Sequence, residues 1–224
     1  MDFKSRDDFC AAIIDPLLNE GKTVLIPTFT YTSNGRFDPE TTPTKLGVIN
    51  KWMLKAPGVR RSEHPIFSYA ALGPQAEALV TNIGLSAFGH DSVFDRLNDK
   101  NASFLYVGRP VWMGNTMIHH IEQICGATYR VNKAFKTEVY RGDRYIGTNY
   151  SAFVRRRDVP EHDFEFCFRR AAQRMFDQNL VRQVGNEVEL TNISAHGYDE
   201  VAELLKSMFS EDPCVFIQRP FIDK

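Results

Sequence analysis

The sequence predicts an α/β protein with a mixed β-sheet flanked by helices and a β-hairpin in its C-terminal half. Strand-like runs rich in β-branched residues alternate with amphipathic runs along the chain. Period-two alternation surrounds the Gly142-Asp143 pair, which is typical of a hairpin turn. The 224 residues, 43% of them hydrophobic, are enough to bury one sizeable core. We therefore expect a single domain over residues 1–224.

The elements of the first part follow from local spacing. Residues 7–19 carry apolar side chains at helical spacing, and Gly21 stands where a C-terminal cap belongs. TVLIPTF, residues 23–29, is predicted to form a buried strand because it is rich in β-branched residues. The polar stretch 30–43 is predicted to be a loop, long enough to carry function. An amphipathic helix over 44–56 follows and ends before a Pro-Gly pair.

The same reasoning gives the later elements. They are a strand at 66–73, a helix at 74–82, a strand at 102–108, a helix that starts with GNTMIHHIEQ at 114–123, a hairpin within 137–153, helices near 161–177 and at 198–210, and a strand at 214–218. Pro74 suits the first turn of its helix, where a missing N–H is tolerated. The order of the strands is not predictable from these patterns.

Composition excludes several classes of function. The net charge of −1 gives no global electrostatic reason to bind nucleic acid or an acidic membrane. No apolar run approaches the roughly 20 residues of a membrane span, and the N-terminus lacks the pattern of a signal peptide. Cys10, Cys125, Cys167 and Cys214 are widely spaced, which predicts free thiols. We expect a cytoplasmic protein.

Two adjacent histidines precede a glutamate in GNTMIHHIEQ. On a helix His119 and Glu122 share a face, whereas His120 is turned by about 100°. A zinc site would need further ligands, for which His64 or His90 are the candidates. A general base oriented by a carboxylate is a second interpretation. Two ordinary helix residues are the third, and the decapeptide alone does not decide among them.

Other local signals are equally open. RRSEHP at 60–65 is either a solvated loop or a functional segment, and GHD at 89–91 favours a turn over a ligand pair. Three arginines at 155–157 are typical of a surface, although guanidinium groups also match the oxygens of a diphosphate. The chain has no GxGxxG, Walker, GxSxG or CxxC motif, so dinucleotide binding, P-loop chemistry and serine-elbow hydrolysis lose their usual support.

Taken together, five stretches carry a resemblance. They are, in order, LIPTFTY, FDPETTPTKLGVINKWMLKAPGVRRSEHP, AALGPQAEAL, GHDSVFDRL and GNTMIHHIEQ. This order resembles the aminoglycoside 3-N-acetyltransferase family, well over residues 23–128 and weakly beyond them. Members of that family commonly carry an additional N-terminal strand and a His-Ser-Ser turn before the first helix. This chain starts after that point, so we expect any acyl-CoA contacts of the turn to come from elsewhere or to be missing.

The resemblance implies an acetyl-CoA-dependent N-acetyltransferase of the antibiotic-resistance type. Acetyl-CoA would be the co-substrate, no metal would be needed, and an amine of an amino sugar or aminoglycoside-like molecule would attack directly in a ternary complex. His119 matches the catalytic histidine of the family, Glu122 the carboxylate of the same motif, and His64 a supporting histidine of the catalytic group. The residues expected to contact the substrate are His90, Asp91, Asn115 and Tyr150. Those expected to contact CoA are Thr44, Lys45, Gly47, Arg61 and Ser62.

Two other functions remain possible from the sequence. A metal-dependent hydrolase would use His64, His90, His119 and Glu122 as its ligands and base. A degenerate acyl-CoA-binding protein is the other alternative. The expected partners are acetyl-CoA and an amino sugar, with no nucleic acid or membrane, and the expected assembly is a homodimer.

Overall fold

A computed structural model describes residues 3–113, 115–157, 164–185 and 193–218. The chain divides into two compact units. The first unit comprises Met1–Val93 and Lys133–Ala152, and the second comprises Phe94–Asn132 and Phe153–Lys224. The expectation of a single domain over residues 1–224 stays a prediction.

Helices and strands alternate along both units. The helices are α1 (Arg6–Asn19), α2 (Val48–Met53), α3 (Ala76–Val80), α4 (Met117–Ile124), α5 (Arg169–Asp177) and α6 (Tyr198–Glu211), with a short 3₁₀ helix at Asp95–Leu97. The strands are β1 (Val24–Pro27), β2 (Arg36–Phe37), β3 (Arg60–Arg61), β4 (Tyr69–Leu72), β5 (Ser103–Val107), β6 (Arg130–Ala134), β7 (Glu138–Arg141), β8 (Arg144–Gly147), β9 (Ser151–Arg155), β10 (Glu165–Phe166), β11 (Val181–Val184), β12 (Ile193–Gly197) and β13 (Ile217–Gln218).

The predicted α/β class is confirmed, and the strands form several small sheets. In the first unit, β4 lies between β1 and β3 in an antiparallel sheet, and β7 lies between β2 and β8. The second of these sheets is mixed, because β2 pairs with β7 in parallel and β7 with β8 antiparallel. The predicted hairpin is this β7–β8 pair, and Gly142 at its turn has a φ of 60°, which glycine adopts without strain.

Local chemistry explains where α1 begins and ends. The Ser5 side chain accepts a hydrogen bond from the Asp8 backbone N–H at 3.0 Å, which caps the first turn. Gly21 has a φ of 72° and its N–H donates to the Leu18 carbonyl at 2.9 Å. The predicted glycine cap is therefore confirmed.

Two predicted helices of the first unit are shorter than expected. The helix predicted over 44–56 is only α2, because the backbone N–H of Lys45 and the hydroxyl of Thr44 both donate to the Phe29 carbonyl, each at 3.0 Å. These bonds hold the chain before α2 against the end of β1. The helix predicted over 74–82 begins at Ala76, so Pro74 precedes the helix and does not occupy its first turn.

The second unit contains the sheet β11–β12–β5 and the pair β10–β13. Both sheets of this unit are antiparallel. The predicted strand at 102–108 and helix at 198–210 are confirmed as β5 and α6, but β11 and β12 were not predicted. The helix predicted near 161–177 begins only at Arg169, since β10 precedes it; residues 161–163 lie outside the described residues. The strand predicted at 214–218 is reduced to β13, because Val215 lies in a turn closed by its bond to the Asp212 carbonyl.

Helix α4 is fixed within the second unit by its neighbours. Met117, Ile118 and Ile121 are fully buried on it, and α4 packs against α6. The chain then reverses after α4, because the Ala127 N–H donates to the Glu122 carbonyl at 2.8 Å and the Arg130 N–H to the Ala127 carbonyl at 3.2 Å. This reversal brings the start of β6 back to the middle of α4. Within the described residues, no helix is both long and apolar enough to cross a membrane.

Candidate active site

The N-terminal end of α4 is held by Asn115. Its Oδ1 accepts the Met117 N–H at 3.1 Å, which satisfies one of the amide groups that a helix start leaves open. Asn115 is buried, and its Nδ2 has no hydrogen-bond partner within the described residues. Gly114, the first residue of the GNTMIHHIEQ stretch, lies outside them. Asn115 thus serves α4 directly, and its expected contact with substrate stays a prediction.

His119 and Glu122 meet on one face of α4. The Nδ1 atom of His119 lies 2.7 Å from Oε2 of Glu122, and the Glu122 side chain is fully buried while that of His119 is 24% exposed. A carboxylate accepts hydrogen bonds, so the neutral histidine donates from Nδ1 and carries its lone pair on Nε2. The predicted shared face is therefore confirmed, and the ring is in the tautomer that a general base needs.

The Glu122 carboxylate is held by two further side chains. The hydroxyl of Tyr129 donates to Oε1 at 2.9 Å, and Nε of Arg130 lies 2.6 Å from Oε2. The N–H of Arg130 does not point along this contact, so it is an ion pair and not an aligned hydrogen bond. Neither Tyr129 nor Arg130 was predicted from the sequence. They lie seven and eight positions beyond Glu122, after the chain has reversed. The one signal in the sequence is the Tyr-Arg pair that follows Gly126, and this pair alone does not indicate a contact with α4.

The charges around His119 act in opposite directions. Burial lowers the pKa of His119 below its ordinary value, the hydrogen bond and charge of Glu122 raise it, and the positive charge of Arg130 lowers it further. The net result is a lowered pKa, so the ring is neutral at neutral pH. Burial also raises the pKa of the Tyr129 hydroxyl, with Glu122 adding to the effect, so Tyr129 stays protonated and remains a donor.

His119 and His120 contact different aromatic side chains. The ring of His119 makes an edge contact with Phe166, with centroids 5.6 Å apart. His120 is 2% exposed, and its ring stacks on Phe94 with centroids 6.1 Å apart. The two neighbours in sequence thus lie in different surroundings, as the helical periodicity predicts.

His64 lies in the first unit in a backbone cage. Its Nδ1 accepts the N–H groups of Ile66 at 3.3 Å and Phe67 at 3.1 Å, and its Nε2 lies 3.0 Å from the Ser151 carbonyl. The side chain is 1% exposed, and burial lowers the pKa of the imidazole to about 4. Both ring nitrogens are engaged with backbone, which argues against proton transfer or metal binding by His64.

Arg61 and Ser62 are occupied by the fold of the first unit. Arg61 is 6% exposed and donates to side chains and carbonyls of Thr28, Pro39, Thr42 and Ser68. Burial lowers the pKa of its guanidinium to about 10, with the charge of Asp38 opposing the shift. Ser62 is fully buried, and its hydroxyl accepts the Tyr69 N–H at 2.9 Å. Neither side chain is in a position typical of a residue that binds a phosphate.

The remaining residues expected to contact CoA divide into two kinds. Thr44 is buried against Phe29, whereas Lys45 and Gly47 are exposed. Gly47 precedes α2, which has six residues and therefore only a weak helix dipole. Of the five residues expected to contact CoA, only Lys45 and Gly47 are accessible.

The residues expected to contact substrate in the first unit also differ in exposure. Gly89, His90 and Asp91 lie in a turn closed by the Ser92 N–H and the Gly89 carbonyl at 3.1 Å, so the turn interpretation is confirmed. Tyr150 is 3% exposed and packs against Phe37 and Val139. Burial raises the pKa of its hydroxyl to about 12. His90 is therefore the exposed member of this set.

No group of three or more His, Cys, Asp or Glu side chains in the described parts of the chain is arranged to hold a metal ion. His119 and Glu122 lie in the second unit, and His64 and His90 lie in the first.

A buried carboxylate that contacts a partly exposed imidazole at Nδ1 is an arrangement that general acid–base chemistry can use, and here it lies in an α/β protein. The sequence profile of the aminoglycoside 3-N-acetyltransferase family matches residues 5–207, and the chain belongs to that family.

Curated relatives match over part of their length. Aminoglycoside N(3)-acetyltransferase IV of Salmonella sp is 32% identical over 120 residues, 51% of this chain and 44% of that protein. Aminoglycoside N(3)-acetyltransferase III of Enterobacter cloacae is 36% identical over 91 residues, 39% of this chain and 32% of that protein. The matched part of the chain thus spans less than half the length of these relatives.

Solved structures support the fold over nearly the whole chain. Aminoglycoside acetyltransferase AAC(3)-IVa as the apoenzyme has a TM-score of 0.75 at 21% identity, covering 97% of this chain and 80% of that one. A mutant of the same enzyme in complex with a gentamicin has a TM-score of 0.77 at 19% identity, covering 98% and 81%. AAC-IIIb as a binary complex with CoASH has a TM-score of 0.72 at 18% identity, covering 93% and 84%. At these identities the likeness establishes the α/β fold.

Proposed function

We propose that the protein is an acetyl-CoA-dependent N-acetyltransferase that transfers an acetyl group to an amine of an amino sugar or aminoglycoside-like substrate. The observation that carries the proposal is the contact of His119 Nδ1 with Glu122 Oε2 at 2.7 Å, in a chain of this family. The relatives named above are aminoglycoside N(3)-acetyltransferases, and structural neighbours bind a gentamicin and CoASH. A cytoplasmic location, one acetyltransferase domain over residues 1–224 and a homodimer are parts of this proposal.

The chemistry requires a base, because an ammonium group is not a nucleophile at pH 7. The acceptor nitrogen must lose a proton before or while it attacks the carbonyl carbon of the thioester. His119 accepts that proton on Nε2, since Nδ1 is occupied by Glu122. Glu122 then stabilises the imidazolium. The C–N bond forms as the C–S bond breaks, and CoA leaves as the thiolate and takes up a proton.

The site favours this step electrostatically. His119 is neutral near pH 7 because its pKa is lowered, so it can accept a proton without first losing one. The Glu122 carboxylate is held by three contacts and cannot rotate away from the ring. A fixed base and a fixed orienting group reduce the reorganisation that accompanies proton transfer.

A thiol-release assay tests the proposal directly. Purified protein is incubated with acetyl-CoA and a panel of amino sugars and aminoglycosides, and free CoA is measured with and without each amine. Amine-dependent release that disappears in His119→Ala is the expected result. Calorimetry with acetyl-CoA separates the alternatives, because no binding at millimolar ligand would make any transferase function untenable. Binding without release for every amine would instead favour a non-catalytic acyl-CoA-binding protein.

Metal analysis addresses the hydrolase alternative. Stoichiometric zinc in the purified protein, together with activity that a chelator removes, would contradict the transferase proposal. The expected result is thiol release that is unchanged by the chelator.

A further inference from the structure

A histidine that acts as base must be neutral at the working pH, and a neighbouring carboxylate works against this. The negative charge of Glu122 stabilises the imidazolium and so raises the pKa of His119. A pair made of these two residues alone would keep a larger fraction of His119 protonated. The structure places a cation at the same carboxylate oxygen, and the inference drawn from it rests on the proposed function.

Arg130 shares one oxygen of Glu122 with His119. Oε2 lies 2.6 Å from Arg130 Nε and 2.7 Å from His119 Nδ1. The Arg130 side chain is 9% exposed and that of Glu122 is fully buried, so solvent screens the three charges weakly. The positive charge of Arg130 pairs with the Glu122 carboxylate and opposes the positive charge that His119 acquires on protonation.

The guanidinium is anchored at its far end as well. Nη1 of Arg130 donates to the Phe153 carbonyl at 3.1 Å, and the Arg156 N–H donates to the Tyr129 carbonyl at 3.0 Å. These bonds lie within the second unit and fix the segment that carries Tyr129 and Arg130. Arg130 therefore cannot move freely away from Glu122.

Within the described residues, Arg130 brings a positive charge to this cluster. From α4, His119 faces Glu122, from the reversal after α4 it faces Tyr129 and Arg130, and from β10 it meets the uncharged ring of Phe166. More distant groups act elsewhere. Cys214 influences Tyr129 and Lys206 influences Cys125, and neither acts on His119.

We propose that Arg130 is a positioning residue that pairs with Glu122 and, by sharing its Oε2 with His119, adds to the effect of burial in opposing protonation of the His119 ring. Glu122 then orients the ring and fixes its tautomer without holding the proton too tightly. Tyr129 supports the same arrangement as a neutral donor to the other oxygen. The two residues differ in their main effect: Arg130 lowers the proton affinity of His119 through its charge, and Tyr129 mainly orients the carboxylate.

A purely structural role for Arg130 makes a different prediction. If the ion pair only tied β6 to α4, its removal would reduce stability and lower activity by the same factor at every pH. If Arg130 also controls His119, the protonation midpoint of His119 must move. The direction is fixed, because losing the cation favours the imidazolium and raises the pKa of His119.

The test compares Arg130→Met, Arg130→Lys, Tyr129→Phe and, as a matched control, Arg174→Met. Arg174 is exposed in α5 of the same unit and pairs with Glu211, so this variant removes an arginine and an ion pair away from the cluster. NMR of ¹⁵N-labelled histidine gives the titration of His119, whose signals are assigned by their loss in His119→Gln. Thermal unfolding of each variant shows whether it is folded under the conditions of the titration.

We expect the His119 midpoint to rise by at least about half a pH unit in Arg130→Met, to return close to the wild-type value in Arg130→Lys, and to stay in place in Arg174→Met. Tyr129→Phe should move it less than Arg130→Met does. In the thiol-release assay, the acidic limb of kcat/KM should move to higher pH in Arg130→Met, with kcat at high pH within about threefold of wild type. Should Arg130→Met not fold, Arg130→Gln, which keeps a polar side chain, takes its place in the same comparison.

The inference is overturned if the His119 midpoint is unchanged in folded Arg130→Met or Arg130→Gln, or if it falls. Because the NMR titration needs no turnover, a shifted midpoint in a protein without acetyl transfer would contradict the proposed function and leave the role of Arg130 intact. Acetyl transfer with an unshifted His119 midpoint would support the proposed function and contradict the role of Arg130.

Discussion

Oε2 of Glu122 lies 2.7 Å from Nδ1 of His119, three positions earlier on α4. The neighbouring His120 is 2% exposed and stacks on Phe94. We therefore predict that His119→Ala abolishes turnover while leaving the affinity for acetyl-CoA within a few fold. Removing a general base typically lowers the rate by about 10²–10⁴ without disturbing the contacts that bind the co-substrate. Steady-state thiol release and calorimetry with acetyl-CoA measure the two effects separately.

His120→Phe is the matched control, because a second aromatic ring preserves the stacking on Phe94. It should keep kcat within a few fold of wild type. The assignment of the base to His119 is wrong if His119→Ala keeps most of its kcat while His120→Phe loses it.

Glu122→Gln should reduce kcat less than His119→Ala does, because the base survives with a poorer orienting group. It should also destabilise the protein, since Arg130 would keep its buried charge without a partner. Breaking a buried ion pair from one side costs about 3–5 kcal/mol. Urea denaturation gives the free energy of unfolding and thiol release gives kcat. A loss in kcat equal to that of His119→Ala in a fully stable protein would contradict this ranking.

Arg61→Lys should lower stability and leave the affinity for acetyl-CoA unchanged. The Arg61 guanidinium donates to the Thr28 carbonyl at 2.7 Å and to the hydroxyls of Thr28 and Ser68 at 3.1 and 3.2 Å, and lysine cannot reproduce this fork. Hydrogen bonds of charged groups contribute about 1.5–3 kcal/mol each, so we expect a loss of about 3 kcal/mol in the free energy of unfolding. Lys51→Met, at an exposed position of α2, is the control for loss of a surface cation. If Arg61→Lys weakens acetyl-CoA binding more than tenfold at unchanged stability, Arg61 contacts CoA as the sequence resemblance implies.

The burial of His64 predicts that the protein loses stability on acidification. Its pKa is about 4 in the folded chain, against 6.5 as the ordinary value of the side chain, so between these values the unfolded chain binds more protons than the folded one. The contribution of His64 is therefore complete above pH 6.5 and is lost as the pH falls towards 4, by on the order of 3 kcal/mol. His119 and His196, whose pKa values are also lowered, act in the same direction.

Urea denaturation at pH 7.5 and pH 5 measures this loss, and His64→Gln is the informative variant. It should be less stable than wild type at pH 7.5, because it loses part of the backbone cage, and its stability should depend less on pH. An equal dependence in both proteins would show that His64 is not the group responsible.

The sequence predicted the elements whose patterns are local. The helical spacing of α1, the β-branched run of β1 and the alternation around Gly142 each specify their element without help from the rest of the chain. Strands β2, β3 and β10 have two residues each, too few for any period to be visible. Strand β12 is specified instead by pairing on both sides, with β11 and β5, which no local pattern encodes.

The sequence predicted the contact within one helix, whereas the roles of the site residues stay predictions. His119 and Glu122 meet because residues three apart on a helix are neighbours, which spacing alone gives. Tyr129 and Arg130 were missed because their contact with Glu122 depends on a chain reversal. Arg61 and Ser62 could not be recognised as buried from the sequence, since an arginine next to a serine normally indicates surface or ligand binding.

The segment after the β7–β8 hairpin, residues 150–157, bears on which amine accepts the acetyl group. The sequence resemblance implies that aminoglycoside-modifying members of the family carry carboxylates here, in a stretch like Tyr-Leu-Glu-Asn-Asp. This chain has YSAFV at 150–154 followed by three arginines. Such carboxylates suit a polycationic drug, because each charged hydrogen bond to an ammonium group contributes about 1.5–3 kcal/mol. In the structure, Tyr150, Ala152 and Phe153 are buried, and Arg155 donates to the Phe164 carbonyl with its guanidinium 5.6 Å above the Phe164 ring.

We therefore expect low activity on aminoglycosides and higher activity on a less cationic amino sugar, in particular one that carries phosphate. The comparison is kcat/KM for a gentamicin-like drug, an unphosphorylated hexosamine and the same hexosamine as its phosphate, each measured at low and high salt. We expect a preference for the phosphorylated hexosamine that weakens with salt, since exposed charges are screened within about 10 Å at 0.1 M.

Val154→Glu places a carboxylate at a half-buried position of the segment, and Val154→Gln, of equal size, is its control. Only the charged variant should show a higher kcat/KM for the drug. The prediction would be contradicted if the wild type acetylated the drug with a kcat/KM of about 10⁵ M⁻¹s⁻¹ or more. Such a value lies in the usual range of an enzyme acting on its own substrate.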